Sequence, residues 1–396
     1  MAKSIHALMK SRFLLITALL GLVPMAFAVD SSADAELIRK LITRVDQLEH
    51  DLAEVKGEAA GASLDTAPVY PSVKFSGFAD LTYHVYHGTG RPAHFELGEL
   101  DFFVNSRISE KAGFIVETVL SADDTDHFGV DLERLIFQYR LSDSFNFDVG
   151  RFHTALGFYN TAYHHGTWFQ TATGRPDFVN YEDAGGILPV HMVGVSLHGA
   201  VPSGSLGLSY FAEVGNNHQY RDPAGPNDWV ANVTDSSSAK AVNLALISRP
   251  TALPGLQFGA GIYHDALKPD GQARTVENIP NVHLVYKNAF WEFIGEGYRI
   301  THAPTLGVST RSTAWFAQVS RQLGSLRPYL RYTAVDIPAN DAAYALIGRT
   351  GRHHTTSYGL RWDFADFAAY KVQWDEISNV DAPATSELTF QVAVTF

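Results

Sequence analysis

The sequence predicts an all-β protein, a 16-stranded antiparallel transmembrane β-barrel with a short N-terminal α-helical coiled coil. Three observations carry the prediction. From residue 73 to 396, apolar and polar residues alternate with a period of two through long segments. The connections between those segments are alternately short and long. No stretch offers 18 consecutive apolar residues after the N-terminal leader, so no transmembrane helix competes with the strands.

Composition narrows the function classes. The 396 residues include no cysteine, which removes disulfides, thiolate metal sites and cysteine nucleophiles. Asp and Glu number 42 against 30 Lys and Arg, for a net charge of -12. An acidic chain without a basic run is a poor nucleic-acid binder, and no nucleic-acid partner is expected.

Residues 1–28, MAKSIHALMKSRFLLITALLGLVPMAFA, read as a secretory signal peptide. Lys3, Lys10 and Arg12 precede an apolar core too short to span a bilayer comfortably, and Ala26-Phe27-Ala28 fits the small-x-small cleavage rule. Residues 29–60 read as a periplasmic coiled coil. Ile38, Leu41, Val45, Leu48, Leu52 and Val55 follow the three-four spacing of a heptad seam. So short a seam is marginal alone and calls for another oligomer contact. Residues 61–72, GASLDTAPVYPS, are a proline-bearing linker.

The barrel reading covers residues 73–396. Its last segment, SELTFQVAVTF, sets Leu388, Phe390, Val392, Val394 and Phe396 against Glu387, Thr389, Gln391, Ala393 and Thr395. Sixteen such segments fall near 73–86, 95–108, 112–122, 131–141, 143–152, 190–200, 204–215, 239–249, 254–264, 280–287, 289–300, 311–322, 326–335, 353–364, 366–376 and 386–396. These lengths suit tilted strands, which cross a bilayer in about nine to eleven residues. A soluble β-sandwich also alternates, but seldom over so many long segments. Short turns such as SEKA and VPSG alternate with long polar loops, the signature of periplasmic turns and outer loops.

With these features the chain resembles the trimeric outer-membrane porins. The likeness rests on the alternating last strand ending in Phe396, the sixteen segments and a long third loop. Among named groups it is most similar to the loosely defined phosphate-selective porins O and P. The resemblance implies an outer-membrane location with lipid as partner, a homotrimer, and recognition of the C-terminal strand by the outer-membrane insertion machinery. It also implies a third loop, 154–189, that folds into the barrel and narrows it. Lysine ladders typical of the O and P group are missing: eight scattered lysines follow residue 28, so phosphate selectivity is not carried over.

The third loop opens with FHTALGFYNTAYHHGTWF, rich in rings and histidines. Adjacent His164 and His165 diverge by about 100 degrees on a helix and do not readily share an ion. No HExxH spacing or nucleophile elbow occurs, so no catalytic residue, metal site or cofactor is assigned. Asp123, Asp124, Asp126 and His127 in the second loop offer at most a loose divalent site. The expected role of Phe158, Tyr159, Tyr163, Trp168 and Phe169 is packing of the loop on the barrel wall, with Tyr and Trp also able to stack on a solute.

Strand parity places Arg107, Glu117, Arg134, Arg140, Arg327, Arg331 and Arg361 on the lumen side, and the loop adds Asp177, Glu182, Asp183, His164 and Trp168. Opposed arginines and carboxylates across a constriction orient polar solutes. The expected function is passive diffusion of small polar or charged solutes. A structural or adhesive barrel without an open pore is the alternative, and a barrel enzyme a more remote one.

Overall fold

The computed structural model describes residues 70–122, 127–163, 166–179, 186–218, 233–234, 238–268, 274–380 and 382–396. The leader, the coiled coil and most of the linker lie outside the described residues, as do His164, Glu182 and Asp183.

Sixteen strands form one closed antiparallel barrel. They are β1 Ser72–His87, β2 His94–Arg107, β3 Ala112–Ala122, β4 Phe128–Ser142, β5 Phe145–His153, β6 His191–Ala200, β7 Leu208–Gly215, β8 Ala241–Ser248, β9 Leu256–Leu267, β10 Thr275–Lys287, β11 Trp291–Pro304, β12 Thr310–Arg321, β13 Leu326–Ile337, β14 Gly351–Ala365, β15 Ala368–Asn379 and β16 Ala382–Thr395. Each pairs with its neighbours in sequence, and β1 closes on β16. One-turn helices α1, Tyr159–Ala162, and α2, Ala342–Leu346, lie in the connections after β5 and β13.

Burial along the strands is inverted relative to a soluble protein. Asn243, Asp265, Ser312, Ser357 and Lys371 are 0% exposed, whereas Val242, Leu244, Val282, Trp315 and Trp362 are exposed. A soluble sandwich hides its apolar phase, because burying apolar area is what drives its folding. Here the apolar phase faces outward, as lipid contact requires, and the polar phase faces in. Phe290, Trp291, Trp362, Phe364 and Phe367 gather near one end of the strands on this outer surface. Such an aromatic girdle sits at the membrane–water boundary.

The closing seam depends on a close approach. Phe396 and Gly77 exchange both backbone hydrogen bonds, at 3.0 and 3.1 Å. The Phe396 ring lies where a β-carbon on Gly77 would be, so only glycine fits that position.

Two register shifts redirect charges. Between β1 and β2, Ala79 pairs Leu100 while Leu81 pairs Leu97, so Asp80 faces both Gly98 and Glu99. Between β3 and β4, Glu117 pairs Arg134 while Thr118 pairs Leu132, leaving Glu133 as the extra residue. A bulge of this kind turns two consecutive side chains toward one face. Both Glu133 and its neighbour Arg134 consequently reach inward-facing partners. Arg151 stays in register with Leu135 and Val193, two residues before the end of β5. It donates from Nε to the Glu133 carbonyl at 3.1 Å.

Candidate pore constriction

The chain leaves β5 at Thr154 and re-enters the wall at His191. Between them the described part of the third loop lies inside the barrel. Leu156, Tyr159, Tyr163, Phe178, Val179 and Ile187 join one buried cluster with Ile279, Ile294, Tyr298, Ile300 and Phe316 of the wall. Tyr159 meets Phe316 edge-on at 5.7 Å, and Phe178 meets Tyr298 at 5.6 Å. Each such side chain contributes about 1.5–3 kcal/mol through its buried apolar area. The predicted packing role of the loop aromatics is therefore observed for Tyr159 and Tyr163, and for Phe158, which packs against the cluster.

Polar wall groups hold the loop backbone with a division of labour by charge. Where the loop presents amide donors, the wall presents carboxylates. Ala155 N–H donates to Glu213 Oε2 at 2.9 Å, and the Phe158 and Tyr159 N–H groups donate to the two oxygens of Glu296 at 3.1 and 2.7 Å. These amides precede or open α1, where helix geometry leaves them without partners of their own. Thr171 Oγ1 donates to Glu292 at 2.7 Å. Where the loop presents carbonyls, the wall presents cations. Lys371 Nζ donates to Thr167 O at 2.6 Å, Ala172 O at 3.1 Å and Gln391 Oε1 at 2.9 Å. Arg361 Nη1 donates to Trp168 O at 2.5 Å and Gln170 O at 2.9 Å, and Arg331 Nη1 to Gly174 O at 2.5 Å. Burial raises the phenols of Tyr159 and Tyr163 above the ordinary tyrosine range, so both remain protonated.

Helix α2 braces the same packing from the opposite connection. Tyr344 OH donates to Ile187 O at 2.9 Å. Asp341 caps α2, accepting from Ala343 N–H at 3.1 Å and Tyr344 N–H at 3.0 Å, and Thr310 Oγ1 donates to it at 2.6 Å. Burial works against the charged Asp341 carboxylate, but hydrogen bonding to His302 and these donors outweighs it and holds its pKa below the usual value.

This packing fills the β8–β13 side of the barrel and leaves polar space on the other. A cavity of about 440 Å³ is bounded by β1, β2, β13–β16 and loop residues 167–177. Asp80, Glu96, Glu99, Asp177, Asp375 and Glu387 line it, with Arg175, Arg331 and His84. His84 Nε2 lies 3.1 Å from Glu96 Oε2, and its Nδ1 pairs with Glu387. Asp177 pairs with His353, and Arg175 Nη2 lies 3.5 Å from Glu99. A second, smaller cavity of about 160 Å³ lies beside Glu117, Arg134 and His153.

The predicted residues divide among these places. Arg331 and Asp177 line the larger cavity, and Glu117 and Arg134 form an ion pair at the smaller one. Arg361 is 7% exposed and lies against the Trp168 ring at 4.9 Å, so both serve the loop strap. Arg327 donates to Thr171 Oγ1 at 3.4 Å and to Gln322. Arg107 and Arg140 sit exposed near the turn-side ends of β2 and β4, away from both cavities. Parity did not single out Lys371, Glu292, Glu296, Glu96 or Glu99. A charge at the middle of a predicted strand on the polar phase was the available signal for Lys371. For Glu99 the bulge at Asp80 breaks parity, and nothing local announces it.

No protein-family model matches the sequence, and no curated protein matches it. Solved structures do. The fold is similar to an anion-selective porin from Comamonas acidovorans, with a TM-score of 0.58 at 12% identity over 82% of this chain and 99% of that one. It is similar to the outer membrane channel DcaP of Acinetobacter baumannii, with a TM-score of 0.57 at 10% identity over 82% of this chain and 97% of that one. It is similar also to the trimer form of OmpT, an outer membrane protein of Vibrio cholerae, with a TM-score of 0.54 at 12% identity over 82% and 99%. At these identities the likeness is one of fold alone: the chain is a closed sixteen-stranded antiparallel barrel whose apolar exterior suits contact with lipid.

Proposed function

We propose that the protein is an outer-membrane diffusion channel for small polar solutes, narrowed by its third loop and favouring cations. The observation that carries this reading is the polar cavity between the in-folded loop and the β1–β2 and β13–β16 walls. Six carboxylates line it against two arginines and one histidine, so its formal charge is negative. A lumen lined by one sign of charge concentrates the opposite ion. Arg331, Arg361 and Lys371 each bind loop carbonyls, and of the three only Arg331 lines the cavity, where carboxylates are in the majority. The anion selectivity named for the Comamonas structure is not carried over. Phosphate selectivity is likewise not proposed.

The proposal includes a homotrimer, aided by a coiled coil at 29–60, and recognition of β16 by the insertion machinery. Size-exclusion and unboiled SDS electrophoresis, with and without residues 29–60, test the oligomer. A trimer that survives truncation would assign the oligomer contact to the barrel itself. No catalytic role or cofactor is proposed.

The deciding experiment is planar-bilayer conductance of the folded protein under a KCl gradient. Stepwise openings with a reversal potential on the cation side support the reading. The packed β8–β13 half gives the structural-barrel alternative its one favourable observation, and a silent bilayer with inserted protein would move that alternative to the front.

A further inference from the structure

At the loop end of the barrel, away from the cavity, three buried side chains converge. His218 follows β7 by three residues, Asp265 lies near the end of β9, and Glu277 lies near the start of β10. Each offers one ligand atom, and those atoms all lie within 4.8 Å of one another. Their exposures are 6%, 0% and 3%. Buried carboxylates of this kind are costly unless a cation and hydrogen bonds compensate them.

Two features point to a cation. Among the described residues, the buried Glu277 Oε2 has no hydrogen-bond partner, while its Oε1 lies 3.0 Å from His302 Nε2. Among the described residues, the charge also fails to balance locally. Asp265, Glu277 and, across His302, Asp341 are three carboxylates facing two imidazoles, so even two imidazolium ions would leave the group negative. Asp265 is fixed on both oxygens: Asn217 Nδ2 and Ala266 N–H donate to its Oδ1. Tyr263 OH donates to Asp265 Oδ2 at 2.9 Å and His218 N–H to the same oxygen at 3.0 Å. His302 backs Glu277 from the far side and is itself held 2.8 Å from Asp341. Ligating carboxylates are characteristically fixed in this way by groups behind them.

We infer that His218, Asp265 and Glu277 form a binding site for a first-row divalent transition cation, with Zn²⁺ the best fit. One imidazole nitrogen with two carboxylate oxygens is a zinc-type donor set, whereas Ca²⁺ takes six to eight oxygens. Tetrahedral zinc with bonds of about 2.0–2.2 Å holds its ligand atoms roughly 3.4 Å apart, so binding draws the trio together by at most about 1.5 Å. The bound ion would tie the segment leaving β7 to β9 and β10, across the end of β8. This role is independent of conduction.

The test uses untagged, detergent-folded protein stripped with EDTA. Zn²⁺ is titrated by calorimetry, and Co²⁺ absorption reads the ligand field. One Zn²⁺ per chain is expected, with a higher melting temperature and a Co²⁺ visible band. Glu277→Gln and His218→Ala should each weaken Zn²⁺ binding about tenfold or more and abolish the thermal gain. His218→Ala keeps the test decisive if Glu277→Gln does not fold, since Glu277 also holds His302. Substoichiometric uptake, undiminished uptake by a folded variant, or stronger binding of Ca²⁺ than of Zn²⁺ would overturn the assignment.

Discussion

Lys371 shows how a single side chain can have one sequence signature and a different structural use. It lies on the polar phase of β15, the phase that faces the lumen. In the folded barrel it is fully buried and its ammonium bonds two loop carbonyls and Gln391. Replacement by methionine preserves much of the volume and removes all three donors. Each acceptor left buried and unpaired costs about 1–3 kcal/mol. Lys371→Met is therefore expected to lower thermal stability and to give larger, noisier single-channel currents as the loop loosens. Currents and melting both like those of the native protein would show that the strap is not needed. Asp341 adds a pH dependence at the same scale. Its folded-state pKa is held below the ordinary 3.8, so its stabilising contribution is complete above that value and is lost as pH falls through the depressed one. Proteolysis of the 338–350 connection should accelerate below about pH 4 in the native protein. Asp341→Asn should be cleaved faster at pH 5 and show a flatter acid dependence; identical profiles would contradict the capping role.

At the scale of elements, two positions carry geometric demands. Gly157 has φ of 73°, and a β-carbon there would run into Tyr298 OH and the Glu296 carboxylate that anchors α1. Left-handed backbone costs a residue with a β-carbon about 1–2 kcal/mol before any clash. Gly157→Ala should displace α1 and change conductance without preventing barrel closure, so unboiled SDS mobility stays native. Gly77→Leu acts on the other demand, the β1–β16 seam under the Phe396 ring. It should reduce the folded fraction and the resistance to SDS. A Gly77→Leu barrel as heat-resistant as the native one would mean that the seam tolerates a shifted ring.

Across the whole molecule, the interior is divided, and on the proposed function this division decides what can pass. The third loop and α2 fill one side with apolar contacts, and the carboxylate-lined cavity occupies the other. Glu96 and Glu387 flank His84 on that cavity wall. The double variant Glu96→Gln, Glu387→Gln should move the reversal potential under a KCl gradient toward zero while leaving the fold unchanged. A reversal potential that does not move would place the selectivity elsewhere in the channel.

The period-two alternation, with aromatics on the apolar phase, contained the barrel itself. All sixteen segments became strands, with ends moved by a few residues, because lipid outside and water inside impose opposite polarity on alternate side chains. The third loop was legible by length and its rings by composition. The roles of its wall partners were not. Parity tells which side of a strand a charge faces, but not whether a loop carbonyl or open water waits there. Arg361 and Arg331 kept the predicted side and took on strap roles that depend on contacts more than 150 residues distant. The bulges at Asp80 and Glu133 reversed parity locally, and the His218, Asp265 and Glu277 convergence joins three strands' ends at spacings no motif records. Alternation is a local property that each strand carries alone, whereas the constriction and the cation site exist only once the barrel has closed and brought remote loops to one wall.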